Sequence, residues 1–283
     1  MQEEVAGASE EENDMSAMKE NRIRALIREG KPTLNTRLGT VEPLFTEMVG
    51  ASGNFDYVEF VAEYAPYSQA DLENLCRAAE LHDMGTMIKV DLQNRAFAAQ
   101  KAVAAGFQAI LFCDHKTPEE VAESVYVMKS DSPSGNGRFG FPNRRYIGFQ
   151  PYLSQSKHSA RLDDVVLAFM IEKKEAMDNI EEICSVPGVD MVQFGPSDYS
   201  MSVGWNAGEH REELREIEEH MIEVALKHGV RPRCELYGAP SDAERYIKLG
   251  VRDFCFGDMT KVYMDFLSGL GGEMRGIADS VQK

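Results

Sequence analysis

The sequence predicts a single (β/α)8 barrel. Three observations carry that expectation: short apolar runs alternate with amphipathic stretches eight times, no linker divides the chain, and 283 residues suit one domain of that size. A doubly wound sheet is the competing arrangement of the same units.

Strands are expected at residues 33–38, 56–61, 86–90, 108–112, 165–171, 190–194, 233–236 and 253–256. Most are apolar throughout, as strands covered on both faces must be. Helical periodicity occupies 69–82, 95–105, 118–129, 175–185, 211–228 and 242–249. Gly85, Gly106, Gly188, Gly229 and Gly250 stand between a helix and the next strand, where a left-handed residue turns the chain back into the sheet. The stretch 130–163, rich in Gly, Pro, Arg, Ser and Asn, shows neither period. A loop that long in a compact domain reads as an active-site or interface excursion, or as surface decoration. Its literal GxGxxG, starting at Gly135 and ending at Gly140, has no strand leading into it, and Pro142 follows where a helix should begin. A turning loop is therefore the better reading than a phosphate cradle.

With 30 Lys and Arg against 47 Asp and Glu, the net charge of -17 argues against a general affinity for nucleic acid or an anionic membrane. The longest strongly apolar run, residues 165–171, falls far short of the roughly 20 residues of a spanning helix. An acidic N-terminus without an apolar segment suggests no secretory signal, and five cysteines without CxxC spacing fit a reducing, cytoplasmic setting. Glu3, Glu4, Glu10, Glu11, Glu12 and Asp14 all precede the first basic residue, Lys19. Residues 1–17 are accordingly expected to be a disordered acidic tail, and 18–283 the barrel domain.

In such a barrel the chemistry gathers at the C-terminal ends of the strands. The fifth strand runs into Met170-Ile171-Glu172 and the sixth into Gly195-Pro196-Ser197-Asp198. Two carboxylates on adjacent strand ends repel unless a cation lies between them. A hard divalent ion would accept both and keep positions for a chelating substrate. The alternative pairs Glu172 with Lys173 or Lys174 and leaves Asp198 to cap the following helix. Arg37 either adds positive charge to the mouth or makes a structural ion pair; with Lys89 it hints at an acceptor bearing an anion. His115, two residues after Cys113, is a general acid or base by its ordinary pKa, or a plain loop histidine.

Glu172 with Glu175-Ala176-Met177-Asp178-Asn179-Ile180, then Val186-Pro187-Gly188-Val189-Asp190 and Gly195-Pro196-Ser197-Asp198 with Gly204, resembles the HpcH/HpaI aldolase family, metal-dependent pyruvate aldolases grouped with citrate-lyase-type enzymes. Weaker matches extend the resemblance over 21–267, including Gly30-Lys31-Pro32, Ala62-Glu63-Tyr64-Ala65-Pro66 and Gly106-Phe107.

The resemblance implies a TIM barrel in which Glu172 and Asp198 hold Mg2+, Mn2+ or Co2+. Backbone amides around Gly195 and Ser197 would hold the carboxylate of pyruvate or a related 2-oxo acid. The reaction would form or use a pyruvate enolate, making or cleaving a 4-hydroxy-2-oxo acid with an aldehyde as partner. It also implies a homo-oligomer, a hexamer by family habit, with a final helix near 258–270 exchanged between paired subunits. Three positions depart from the family pattern: Lys89 stands for its Arg, Tyr64 for its His and Met170 for its Gln. Lysine keeps the charge but loses the fork, and a phenol is a weak base at neutral pH. Lys89, Tyr64, His115 and Arg37 are thus the candidate catalytic residues. Two alternatives are a Schiff-base aldolase using Lys89 as nucleophile, or a non-catalytic 2-oxo-acid-binding relative.

Overall fold

The computed structural model describes residues 19–150 and 152–281, so the expected acidic tail at 1–17 lies outside the described residues. Eight parallel strands close into a barrel in chain order: β1 (Thr33–Leu38), β2 (Tyr57–Val61), β3 (Gly85–Val90), β4 (Ala109–Phe112), β5 (Val166–Ile171), β6 (Met191–Phe194), β7 (Arg231–Leu236) and β8 (Asp253–Asp258). All eight lie where the apolar runs predict them, and the doubly wound alternative is excluded by the β1–β8 pairing.

Helices follow the strands on the outside: α1 (Arg22–Arg28), α2 (Pro43–Ser52), α3 (Gln69–Glu80), α4 (Arg95–Ala105), α5 (Pro118–Met128), α6 (Gln155–Asp163), α7 (Lys174–Asp178), α8 (Ile180–Cys184), α9 (Pro196–Val203), α10 (Arg211–Lys227), α11 (Ala243–Leu249), α12 (Met259–Ser268) and α13 (Leu270–Ser280). Two cores result. Val58, Phe60, Ile88, Ile110, Phe112 and Phe169 face outward and pack against the helices. Tyr57, Met87, Leu111, Ala168, Met170 and Met191 fill the barrel, with Ile23 of α1 packed against them. Adjacent strand residues alternate between the two, as the pleat requires.

Three local expectations need correcting. The predicted helix at 175–185 is two short ones, because Asn179 leaves the helical region (φ -106°, ψ 19°) and its side-chain amide donates to the Lys116 carbonyl. Gly85 is already the first residue of β3; Asp83, at φ 53°, makes the left-handed turn instead. Gly106, Gly188, Gly229 and Gly250 do sit at positive φ.

The stretch 130–163 contains α6 and joins α5 to β5, which places it at the N-terminal end of the barrel, opposite the mouth. There Arg145 donates to the Ala105 carbonyl, Asn21 donates to the Tyr146 hydroxyl and Arg161 to the Tyr146 carbonyl. Its helical turn α6 begins at Ser154, whose hydroxyl accepts from the Lys157 amide. None of its described residues lines the mouth, so its active-site reading is withdrawn. Gly135 and Gly137 turn tightly against Ser130 and Lys129, as a compact loop rather than a phosphate cradle. No helix among the described residues is long and apolar enough to cross a membrane. All five cysteines are buried and unpaired.

Candidate active site

Parallel strands running in one direction put all their C-terminal ends at one mouth, which holds a cavity of about 580 Å³. Of the residues expected there, Arg37, Tyr64, Lys89, Gly195, Ser197 and Asp198 line it. The β5–β6 register pairs Ile171 with Phe194, so Glu172 and Gly195 leave their strands side by side.

Glu172 is 1 % exposed. Its Oε1 accepts the Asp114 amide at 2.8 Å, while the buried Oε2 accepts no hydrogen bond and lies 3.6 Å from Lys89 Nζ. Burial pushes its pKa up, more than Lys89 and the Asp114 amide pull it down, and Asp198 adds to the rise. A Cβ on Gly195 would stand 2.8 Å from Glu172 Cβ and 3.0 Å from Oε2, so only glycine leaves room beside that oxygen. Asp198 sits in the first turn of α9, lines the cavity and forms no salt bridge among the described residues.

Lys89 bonds mainly to Glu63, its Nζ 2.6 Å from Oε2. Burial works against its charge, but the Glu172 and Glu63 carboxylates outweigh burial and hold the ammonium protonated above its ordinary range. Tyr64 lies above it, with Nζ 6.0 Å from the ring centroid. Burial and the neighbouring Glu63 raise the phenol's pKa, so Tyr64 is a hydrogen-bond donor at neutral pH and not a base.

A second acidic group was not anticipated. Ligand atoms of Glu63, Cys113, Asp114 and Glu172 lie within 4.8 Å of one another. Of these, Glu63 is neutralised by Lys89 and Asp114 by Lys173 at 2.6 Å. Cys113 keeps its proton, burial driving its pKa up, and donates to the Val90 carbonyl at 2.9 Å. Glu63 Oε2 and Glu172 Oε2 are both buried without a hydrogen bond, and Lys89 Nζ stands close to the first, at 2.6 Å, and farther from the second, at 3.6 Å. Asp198 lines the cavity together with Lys89 and Gly195, the neighbours of Glu172 Oε2, and oxygen donors of this kind could hold a divalent ion.

His115 does not join the mouth. Asp114, at φ 61°, turns the chain outward, and His115 ends 1 % exposed in the layer between β4 and α5. Its Nδ1 lies 2.8 Å from the Cys113 carbonyl and its Nε2 2.6 Å from Ser124 Oγ, with its ring edge-on to Phe112 and Phe169. Burial, helped by Arg95, depresses its pKa to about 4. It is a neutral packing residue, and its candidacy as acid or base is corrected accordingly.

Arg37 lines the cavity with each of its three nitrogens already bonded. Nη1 bonds Glu235 at 2.9 Å, Nε bonds Asp258 at 3.2 Å, and Nη2 bonds the Tyr237 hydroxyl. The Gly195 amide is also committed, donating to the Ile171 carbonyl at 3.1 Å. The amides free for a ligand in the first turn of α9 are those of Ser197 and Asp198, since Pro196 has none and first-turn amides lack intrahelical acceptors.

Below the mouth lies a buried polar cluster. Arg233, wholly buried, bonds Glu59, Asn35 at 2.8 Å, Tyr57 at 3.0 Å and Gln193; Gln193 Nε2 in turn bonds Glu235 at 2.7 Å. The alternation of polar residues within β1 and β7 was its sequence signal.

A family model described as HpcH/HpaI aldolase/citrate lyase matches residues 47–264. A 2-keto-3-deoxy-L-rhamnonate aldolase of Escherichia coli (strain K12) is 25% identical over 257 residues, covering 89% of this chain and 92% of that protein. The crystal structure of an HpcH/HpaI aldolase from Desulfitobacterium hafniense DCB-2 superposes with a TM-score of 0.79 at 19% identity, covering 89% of this chain and 96% of the other. A more distant likeness, at TM-score 0.53 and 11% identity over 80% of this chain and 85% of the other, is protein CitE from Mycobacterium tuberculosis in complex with magnesium and pyruvate.

Proposed function

Because the chain belongs to the HpcH/HpaI aldolase/citrate lyase family, a family of lyases on the TIM barrel, we propose that it is a divalent-metal-dependent aldolase acting on pyruvate or a related 2-oxo acid and an aldehyde. The observation that carries the reading is Glu172 Oε2. A buried carboxylate oxygen with no hydrogen bond and only a 3.6 Å approach of Lys89, near a second carboxylate without a salt bridge among the described residues, leaves room for a further positive charge. Glu172 and Asp198 would hold the ion, which would act as a Lewis acid on the keto oxygen.

The chain's own groups account for the rest. The Ser197 and Asp198 amides, at a helix N-terminus, suit the substrate carboxylate. The protonated Lys89, which lines the cavity, would stabilise negative charge developing on the enolate oxygen. Tyr64 can give a hydrogen bond to the oxygen of the incoming or departing aldehyde. The Schiff-base alternative needs a neutral Lys89 amine, whereas two carboxylates hold it charged.

Glu172→Gln and Asp198→Asn should each abolish Mn2+ binding in a calorimetric titration and stop metal-dependent exchange of pyruvate methyl protons with deuterated water, with circular dichroism unchanged. Full exchange by either variant removes the ligand assignment. Borohydride trapping of pyruvate on Lys89 would establish the Schiff-base route instead. Tyr64→Phe should slow turnover about tenfold while leaving methyl exchange in place, since the phenol serves the aldehyde.

A further inference from the structure

The wall of the mouth opposite Glu172 and Asp198 comes from β7, β8 and β1. Its polar groups are Arg37, Glu235, Tyr237, Asp258 and Thr260. Each nitrogen of Arg37 already donates, to Asp258, Glu235 and Tyr237. Lys89 is held between Glu63 and Glu172. The two cations lining the mouth are outnumbered by its three lining carboxylates, Asp198, Glu235 and Asp258, with Glu63 and Glu172 packed against Lys89 behind them. Arg215 and Arg245, beyond Tyr237, bring no surplus, being paired with Glu212 at 3.2 Å and Glu218 at 3.4 Å.

The hydrogen-bond inventory points the same way. A carboxylate offers about four acceptor positions. Glu235 uses three, taking bonds from Arg37, Gln193 and Tyr237, and Asp258 uses two, from Arg37 and the Lys261 amide. Acceptor positions are left over on both carboxylates, and the wall's cation, Arg37, has each of its nitrogens already turned to a partner. The wall therefore welcomes a ligand that brings O–H donors, and repels one that brings only negative oxygens. This reverses the anionic acceptor that Arg37 and Lys89 suggest when read as sequence alone.

We propose that the β7–β8–β1 wall is the acceptor subsite and that it selects neutral, hydroxyl-bearing aldehydes over carboxylate-bearing ones, with Glu235, Tyr237 and Asp258 as the recognising groups. The inference rests on the aldolase reading above.

The test compares glyceraldehyde with its carboxylate analogue, in which the terminal CH2OH is replaced by COO⁻, each supplied with pyruvate and Mn2+. The kcat/KM ratio should favour glyceraldehyde by at least about tenfold, and Glu235→Gln should bring that ratio down by about the same factor. The ratio is internal to each variant, so any general loss of activity cancels. Tyr237→Phe should raise KM for glyceraldehyde with little change in kcat. Equal or better use of the carboxylate analogue by the unaltered protein overturns the proposal. Absence of pyruvate methyl exchange in the unaltered protein removes the aldolase reading, and this proposal with it. Exchange together with a carboxylate preference removes this proposal alone.

Discussion

Glu63 and Glu172 share one lysine, and Glu172 Oε2, the more loosely paired of the two at 3.6 Å, stands beside Gly195. Gly195→Ala would place a methyl 2.9 Å from Met170 Cε and 3.0 Å from Glu172 Oε2. We expect Mn2+ affinity to fall by at least about tenfold with no more than about 1–3 kcal/mol lost in urea unfolding, since one overpacked methyl costs that order. Unchanged affinity would show that Oε2 does not face the ion. His115 supplies a pH signature. Its folded pKa of about 4 lies below its ordinary value of 6.5, so the unfolded chain binds the proton more readily in the interval between them. Stability contributed by the neutral ring is complete above the upper value and is lost as pH falls through that interval. Linkage puts the loss at about 2 kcal/mol between pH 8 and pH 5, which His115→Gln should remove from the difference between unfolding curves at the two values. The strand-end positions of Glu172 and Asp198 were legible in the sequence because apolar runs fix where strands stop, whereas their proposed role as metal ligands came from the family resemblance. The place of His115 was not legible, because a positive φ at Asp114 diverts the chain and nothing in composition reveals it.

Strands were the most readable elements, since burial on both faces leaves a run that no solvent-facing helix imitates. Helices were readable where two or more turns show a stripe, as in α3, α4 and α10, and missed where they are short or set by a cap: α1 behind the Asn21 side chain, and α2 and α9 behind prolines at their first position. Gly85 illustrates a right residue given a wrong reason. It is needed for closeness, not for φ: a Cβ there would meet Gln108 Oε1 at 2.7 Å and Ile23 Cγ1 at 2.9 Å, pushing α1 off the barrel floor. Gly85→Ala should cost about 1–3 kcal/mol in denaturant unfolding. Asp83→Gly, by relieving a left-handed aspartate, should cost nothing or stabilise slightly. If Gly85→Ala is neutral, the floor is looser than these contacts state.

At the scale of the whole molecule the eighth unit is incomplete. In a (β/α)8 barrel the helix after each strand covers that strand's outer face. Here Phe254 and Phe256 of β8, with Leu34 of β1 and Phe55, open onto a groove of about 580 Å³. Neither α12 nor α13 contains a buried residue, and Val262, Tyr263, Phe266, Leu270, Met274 and Ile277 are all exposed. An apolar hairpin without a floor and an apolar groove without a cover would complement each other if two copies exchanged the hairpin, the arrangement that the family resemblance implies. We expect light scattering at micromolar concentration to give a dimer or a multiple of it. Phe266→Asp together with Met274→Asp should shift it toward monomer and lower the thermal midpoint. The charge of -17 adds a second signature, because like-charged copies repel. Raising salt from roughly 50 to 500 mM should tighten the assembly by screening that repulsion, where an interface held by ion pairs would loosen. A monomer at every salt concentration would leave the hairpin's apolar face unexplained and would count against the exchange.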